Sequence, residues 1–211
     1  MRSVPRSLDK PSKIVCVGRN YAAHAKELGN EVPKEPLIFL KPPSSIVRDG
    51  DPILLPPQSR QVEFEGEIGI LLGERLHHAS EAAAERGVRA VLAANDVTAR
   101  DLQRSDGQWT RAKGFDTFCP LGEPGAAVPR LDDVTLVTRV NGEERQRARS
   151  AEMVFPIAAL LAYISAIMSL EPGDLVLTGT PAGVGPLQDG DIVEVEIEGV
   201  SRVRNPVRTA S

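Results

Sequence analysis

Residues 61–72 read QVEFEGEIGILL, and the change from alternating polar and apolar residues to the apolar run Ile70-Leu71-Leu72 marks a strand entering a protein core. Glu63, Glu65 and Glu67 fall two residues apart within it. On an extended strand they share one face, with Cβ atoms about 7 Å apart. Three like charges in a row are unfavourable unless solvated or neutralised. A bound cation would neutralise them, and an exposed edge strand that uses charge against aggregation would solvate them. The stretch by itself leaves both readings open.

On the carboxyl side, the pattern predicts a helix from Ser80 to Arg89 and a buried strand from Val91 to Ala94 that ends at Asn95-Asp96. Further strands are expected at residues 134–140, 175–178 and 192–197, with Asn141-Gly142 as a hairpin turn. On the amino side, residues 13–17 form a short β-rich run ending at Gly18. Asn20 can then cap a helix over residues 21–28, closed by Gly29-Asn30. Seven prolines between Pro33 and Pro57 interrupt short apolar pieces such as Leu37-Ile38-Phe39-Leu40, which reads as loop and short strand. The fold class that results is α+β, rich in strands, without repeats.

A length of 211 residues suits one domain. Residues 1–12 are expected to be a flexible N-terminal extension and residues 13–211 a single catalytic domain. A net charge of -4 with scattered Lys and Arg argues against nucleic acid as a partner. Two cysteines, Cys16 and Cys119, are too few for a disulfide framework and lack metal-ligand spacing. The first thirteen residues, MRSVPRSLDKPSK, place charges and prolines where an export signal needs an apolar stretch, so a cytoplasmic location is expected. Residues 153–170 carry no charge and approach the length of a membrane span. Pro156 near the start and Glu171-Pro172-Gly173 at the end read instead as a capped helix buried against a sheet.

Four further stretches decide the meaning of the glutamate row: Gly18-Arg19-Asn20-Tyr21, Asn95-Asp96-Val97-Thr98-Ala99-Arg100-Asp101 with Gln103, Lys113-Gly114-Phe115-Asp116-Thr117, and Thr178-Gly179-Thr180-Pro181. Together with Glu65-Gly66-Glu67, and in this order, they resemble the fumarylacetoacetate hydrolase family, in its compact branch of acylpyruvases, oxaloacetate decarboxylases and hydroxyhepta-dienedioate isomerases. The resemblance runs from about Lys13 onward. It implies a mixed β-sheet roll, a partly open barrel with a few packed helices, assembled as a homodimer. It also implies Glu65, Glu67 and Asp96 as metal ligands, with Glu63 left to back the ligands or face solvent. Lys113, Gln103 and Thr180 line the substrate pocket by the same carry-over, Arg19 and Lys41 close it on the carboxylate side, and His24 with Glu27 forms a water-activating dyad on a lid.

The chemistry of the residues agrees with that carry-over. Three carboxylates without His or Cys suit Mg²⁺, or Mn²⁺, rather than zinc. They leave octahedral positions open for a small 2-oxo acid, whose carboxylate and keto oxygens chelate together. Three carboxylates with a divalent ion are one unit negative, so an anionic substrate needs nearby cations, for which Arg19, Lys41 and Lys113 are the candidates. His24 and Glu27 lie three apart on a helix and share a face, so the carboxylate can orient the imidazole and raise its basicity. The expected activity is carbon-carbon bond hydrolysis or decarboxylation of an acylpyruvate, fumarylpyruvate or oxaloacetate through a metal-bound enolate, as in aromatic compound catabolism. Isomerisation of 2-hydroxyhepta-2,4-diene-1,7-dioate and oxaloacetate tautomerisation are the alternatives. A non-catalytic metal-binding module is a third reading, although every residue named above is retained. The glycine-rich run at residues 178–185 lacks the Lys and following helix of a phosphate loop.

Overall fold

The structure, a computed structural model, describes residues 11–27, 29, 31–125 and 130–210. The chain begins with β1 (Ile14–Gly18), α1 (Ala22–Glu27), β2 (Leu37–Lys41), β3 (Ile46–Val47), β4 (Ile53–Leu55), β5 (Val62–Phe64) and β6 (Gly66–Leu72). It continues through α2 (Glu81–Arg86), β7 (Val88–Asn95), β8 (Thr98–Ala99), α3 (Arg100–Ser105), α4 (Thr110–Lys113) and β9 (Cys119–Pro120). The last part comprises β10 (Thr135–Val140), β11 (Glu143–Arg149), α5 (Ile157–Ile167), β12 (Leu175–Leu177), β13 (Gly185–Pro186), β14 (Ile192–Ile197) and β15 (Ser201–Thr209). This is the expected strand-rich α+β class.

Two five-stranded sheets form the frame, one ordered β2-β1-β12-β6-β7 and the other β11-β10-β14-β15-β4. Both are mixed, since β1 runs parallel to β12 and β15 parallel to β4 while their other pairs are antiparallel. None of the sheets among the described residues closes on itself. The main core lies between the frame and the helices, where Ile68, Ile70 and Leu72 of β6 and Leu136 of β10 meet Leu160, Leu161 and Ile164 of α5. That accounts for the uncharged stretch at residues 153–170: its helix has 11 residues and a buried face. No helix among the described residues is long and apolar enough to cross a membrane.

The stretch that opened the reading is not one strand. It breaks at Glu65, with β5 pairing to β13 and β8 while β6 pairs to β12 and β7. Local hydrogen bonds explain the break: the Glu65 amide donates to Asn95 Oδ1 at 2.9 Å, and the Glu65 carbonyl accepts from the Asp96 amide at 2.8 Å. A side chain thus takes a donor that a continuous ladder would have used. Gly66 follows where the two main sheets touch, and a Cβ there would lie 1.9 Å from Thr138 Oγ1 on β10.

Asn20 differs from its expected role. Its Oδ1 accepts from the Phe155 amide at 2.8 Å and its Nδ2 donates to the Thr178 carbonyl at 2.9 Å, so it clamps three segments together instead of capping α1. A buried amide satisfied by backbone groups from other elements is not available to a helix end. Leu28 and Asn30, at the expected close of α1, lie outside the described residues, as do residues 1–10 of the expected N-terminal extension. Ser80 does cap α2, through its hydroxyl and the Ala83 amide. Asn141 and Gly142 both have positive φ, 53° and 84°, as a two-residue hairpin turn with right-handed twist requires.

Candidate active site

The register of β6 against β7 pairs Gly66 with Asn95, so the residues flanking that pair, Glu65, Glu67 and Asp96, converge where the two strands end. Each offers a carboxylate oxygen, and those oxygens lie within 4.8 Å of one another. All three residues are buried, with at most 5% of the residue surface exposed. The solvated edge-strand reading therefore fails for Glu65 and Glu67, because buried carboxylates require paired or coordinating partners.

Three cations supply most of that pairing. Lys113 Nζ, on α4, donates to Glu65 Oε2 at 2.8 Å and to Asp96 Oδ2 at 2.5 Å. Arg100, at the start of α3, spans Glu65 Oε1 at 2.6 Å and Glu63 Oε2 at 2.8 Å. Lys41 Nζ reaches Asp96 Oδ1 at 2.6 Å and the Val97 carbonyl at 3.2 Å. Glu67 differs from its neighbours, since its Oε2 accepts the Gly179 amide at 2.7 Å and it has no ion pair among the described residues. Burial works to raise the Glu65 carboxyl, but Lys113 and Arg100 outweigh it and hold the group well below the usual carboxylate range. Burial, with Asp96 and Glu65 alongside, pushes Glu67 well above that range. The cluster thus lacks one unit of positive charge: four carboxylates, counting Glu63, face three cations.

A hard divalent ion fits this donor set. The oxygens converge, the group contains no nitrogen or sulfur donor among the described residues, and Lys113 already places an ammonium between Glu65 and Asp96. With such an ion the cluster would carry one net positive charge, the sign that favours an anionic substrate.

The carboxylates open onto a cavity of about 390 Å³ whose wall includes Arg19, His24, Gln103, Lys113 and Thr180. His24 is 4% exposed, and its Nδ1 lies 3.3 Å from Glu27 Oε2. Glu27 is itself held by the Gly183 amide, at 3.0 Å from Oε1 and 3.2 Å from Oε2. An imidazole protonated at Nδ1 and donating to Glu27 keeps Nε2 as its basic nitrogen. Arg19 adopts a left-handed conformation, φ 59°, at the turn between β1 and α1. Such strain in a non-glycine residue persists where the surrounding structure imposes it.

Lys41 is not where it was expected. It is 1% exposed and does not line the cavity; its ammonium sits behind Asp96 and holds that carboxylate instead of meeting a substrate. Glu63 is joined to Glu65 through Arg100 and also accepts from Gln61 Nε2 at 2.6 Å. Arg100, which had a place in a motif but no expected role, also donates from Nη1 to Gln103 Oε1 at 2.6 Å and so aims that side chain. Counting charges would have flagged it, since three glutamates and an aspartate need more than the lysines to balance them. Phe39 and Trp109 had no expected role either. They meet edge to face at 5.1 Å on the cavity wall, with Lys113 Nζ 5.0 Å from the Phe39 ring centre. Nothing in their spacing predicts that contact, because β2 and α4 meet only in the folded chain.

The profile of the fumarylacetoacetate hydrolase C-terminal family matches residues 13–208. The chain belongs to the fumarylacetoacetate hydrolase family. It is 42% identical to a mitochondrial oxaloacetate tautomerase of Mus musculus, over 92% of this chain and 91% of that protein. It is 44% identical to a mitochondrial oxaloacetate decarboxylase of Dictyostelium discoideum, over 89% of each. Among solved structures it resembles a 5-carboxymethyl-2-hydroxymuconate delta-isomerase of Mycobacterium smegmatis, with 46% identity, a TM-score of 0.89, and coverage of 96% of this chain and 80% of that one. The fumarylacetoacetate hydrolase fold is thereby shown for this chain.

Proposed function

We propose that the protein is a metal-dependent enzyme of small 2-oxo acids, with keto-enol tautomerisation of oxaloacetate as its first reaction to test. One observation carries this reading: a single cavity presents both a buried three-carboxylate cluster and a histidine held by a carboxylate. The names of two relatives support the substrate class, since both are named for oxaloacetate, a small 2-oxo acid.

Glu65, Glu67 and Asp96 would hold Mg²⁺ or Mn²⁺. When bound, the ion supplies Lewis-acid stabilisation of the negative charge that develops on the 2-oxo oxygen. The remaining work belongs to the chain. Arg19 and Lys113 bring positive charge to the acid's carboxylate. Gln103, aimed by Arg100, offers its amide N–H groups to the substrate while its Oε1 is occupied. Phe39 and Trp109 keep water from that side of the cavity. His24 Nε2 takes the proton from the carbon, Glu27 stabilises the imidazolium, and the same proton returns on oxygen, so no second reactant is consumed.

Carbon-carbon bond cleavage is the second reading, favoured by the decarboxylase relative and by the same dyad. A base that accepts a proton from carbon can also accept one from water attacking an acylpyruvate or fumarylpyruvate. One assay separates these outcomes. With Mn²⁺ present, loss of the enol absorbance of oxaloacetate without pyruvate indicates tautomerisation, pyruvate formation indicates decarboxylation, and turnover of acetylpyruvate indicates hydrolysis. His24→Ala is expected to lower whichever rate is found by about 100-fold or more, the usual contribution of a positioned acid or base. Activity unchanged by EDTA, or by His24→Ala, would overturn the reading.

A further inference from the structure

Gln146 lies on β11, an edge strand whose other side chains are mostly exposed, yet Gln146 itself is 1% exposed. Its Oε1 accepts the Gly66 amide at 3.0 Å. Its Nε2 donates to Thr180 Oγ1 and to the Pro181 carbonyl, both at 2.8 Å. Thr180 Oγ1 in turn donates to the Gly66 carbonyl at 2.8 Å. Both backbone groups of the residue between Glu65 and Glu67 are therefore held in one closed ring of hydrogen bonds. Because an amide oxygen only accepts and its nitrogen only donates, the ring fixes the Gln146 orientation and commits the Thr180 proton to Gly66.

Gly66 has particular need of such a hold. Approach of Thr138 Oγ1 to 1.9 Å and Gln146 Oε1 to 3.0 Å of a built Cβ excludes any side chain there. A glycine backbone is the least restrained of any. Gly66 also follows the strand break at Glu65, so its amide is bonded to a side chain where a regular strand would use a neighbour's carbonyl. Small rotations at this residue would move the Glu65 and Glu67 carboxylates relative to each other.

We propose that Gln146 is a positioning residue for the carboxylate cluster. Through Gly66 it sets the offset between Glu65 and Glu67, and through Thr180 and Pro181 it ties down the loop whose Gly179 amide holds Glu67. The assignment rests on the reading of that cluster as a divalent-ion site. Thr138 supplies the contrast, because it touches the same glycine while its buried hydroxyl has no hydrogen-bond partner among the described residues.

Direct Mn²⁺ titration of the full chain, followed by isothermal calorimetry or by the spectrum of the free ion, tests this without reference to turnover. Gln146→Met keeps length and apolar bulk while removing both halves of the amide. It should raise the Mn²⁺ Kd by about 10-fold or more, in the range known for groups that orient metal ligands. Gln146→Glu keeps an acceptor for Gly66 but loses the donor to Thr180, and should fall between Gln146→Met and wild type. Saturating Mn²⁺ should recover part of the lost kcat of Gln146→Met. Thr138→Val keeps the shape of the side chain and removes a hydroxyl without a partner among the described residues, a nearly neutral exchange that should leave the Kd within about twofold. A folded Gln146→Met or Gln146→Glu with wild-type Kd would overturn the proposal alone. Equal weakening by Thr138→Val, or failure of both Gln146 variants to fold while Thr138→Val folds, would make Gln146 a packing residue and overturn it too. A wild-type chain that binds no Mn²⁺ would sink the metal reading, and this one with it.

Discussion

At the scale of single residues, the site is a problem in charge balance. Arg100 is the hub, since one guanidinium serves Glu63, Glu65 and Gln103 through separate nitrogens. Only arginine offers such a fixed fork. Replacing it by Met leaves two buried carboxylates without that partner, and losing one side of a buried ion pair costs about 3–5 kcal/mol. Arg100→Met is accordingly expected to unfold at markedly lower denaturant in equilibrium urea titrations; an unchanged midpoint would mean that the carboxylates find other partners. The carboxylate trio was legible in the sequence because its motifs lie in order along the chain. The service role of Lys41 was not, because a lysine facing a substrate and a lysine facing Asp96 read alike until β2 is docked.

At the scale of elements, two contacts decide where the site can form. The first is the touch of β6 on β10 at Gly66. Gly66→Ala should destabilise by about 3 kcal/mol through overpacking, and the added Thr138→Ala should restore part of that loss, read from the melting temperatures of the single and double variants. No restoration would place the strain elsewhere. The second contact ties the start of β1 to the turn before β12, where Asp174 accepts from the Ser12 and Glu171 amides at 3.0 and 2.8 Å and from Lys13 Nζ at 2.5 Å. Burial opposes ionisation of Asp174, but Lys13, the Glu171 amide and Ser12 outweigh it and hold the carboxyl below its usual range. A carboxyl depressed in the folded state adds stability above its unfolded pKa, about 3.9 for aspartate, and loses it as pH falls through the folded value. Asp174→Ala should therefore melt below wild type at neutral pH, with the gap closing as pH drops below about 4. A gap that does not narrow in acid would show that the contact acts through packing and not through charge.

At the scale of the whole molecule, a divalent ion held by this cluster would couple its binding to folding, because the three carboxylates come from a strand break, a strand and a strand end that only the native state brings together. Saturating Mn²⁺ at about 100 times its Kd should stabilise the chain by about 2.7 kcal/mol, seen as a concentration-dependent rise in melting temperature. That rise should vanish in Glu67→Gln, whereas a rise that persists would place the ion elsewhere. The sequence by itself determined the fold class, the strands β1, β6, β7, β10, β12 and β14, the hairpin at Asn141-Gly142 and the three carboxylates, because periodicity, turn chemistry and ordered motifs are local properties of a chain. Only the tertiary structure decided that the glutamate stretch breaks at Glu65, that Asn20 clamps segments instead of capping a helix, that Lys41 stands behind Asp96, that Arg100 joins Glu63 to Glu65, and that Gln146 bonds Gly66 between the two glutamates. Those facts depend on which side chains meet across sheets. Partners as distant as 158 residues, such as Thr178 for Asn20, leave no periodic trace in the sequence.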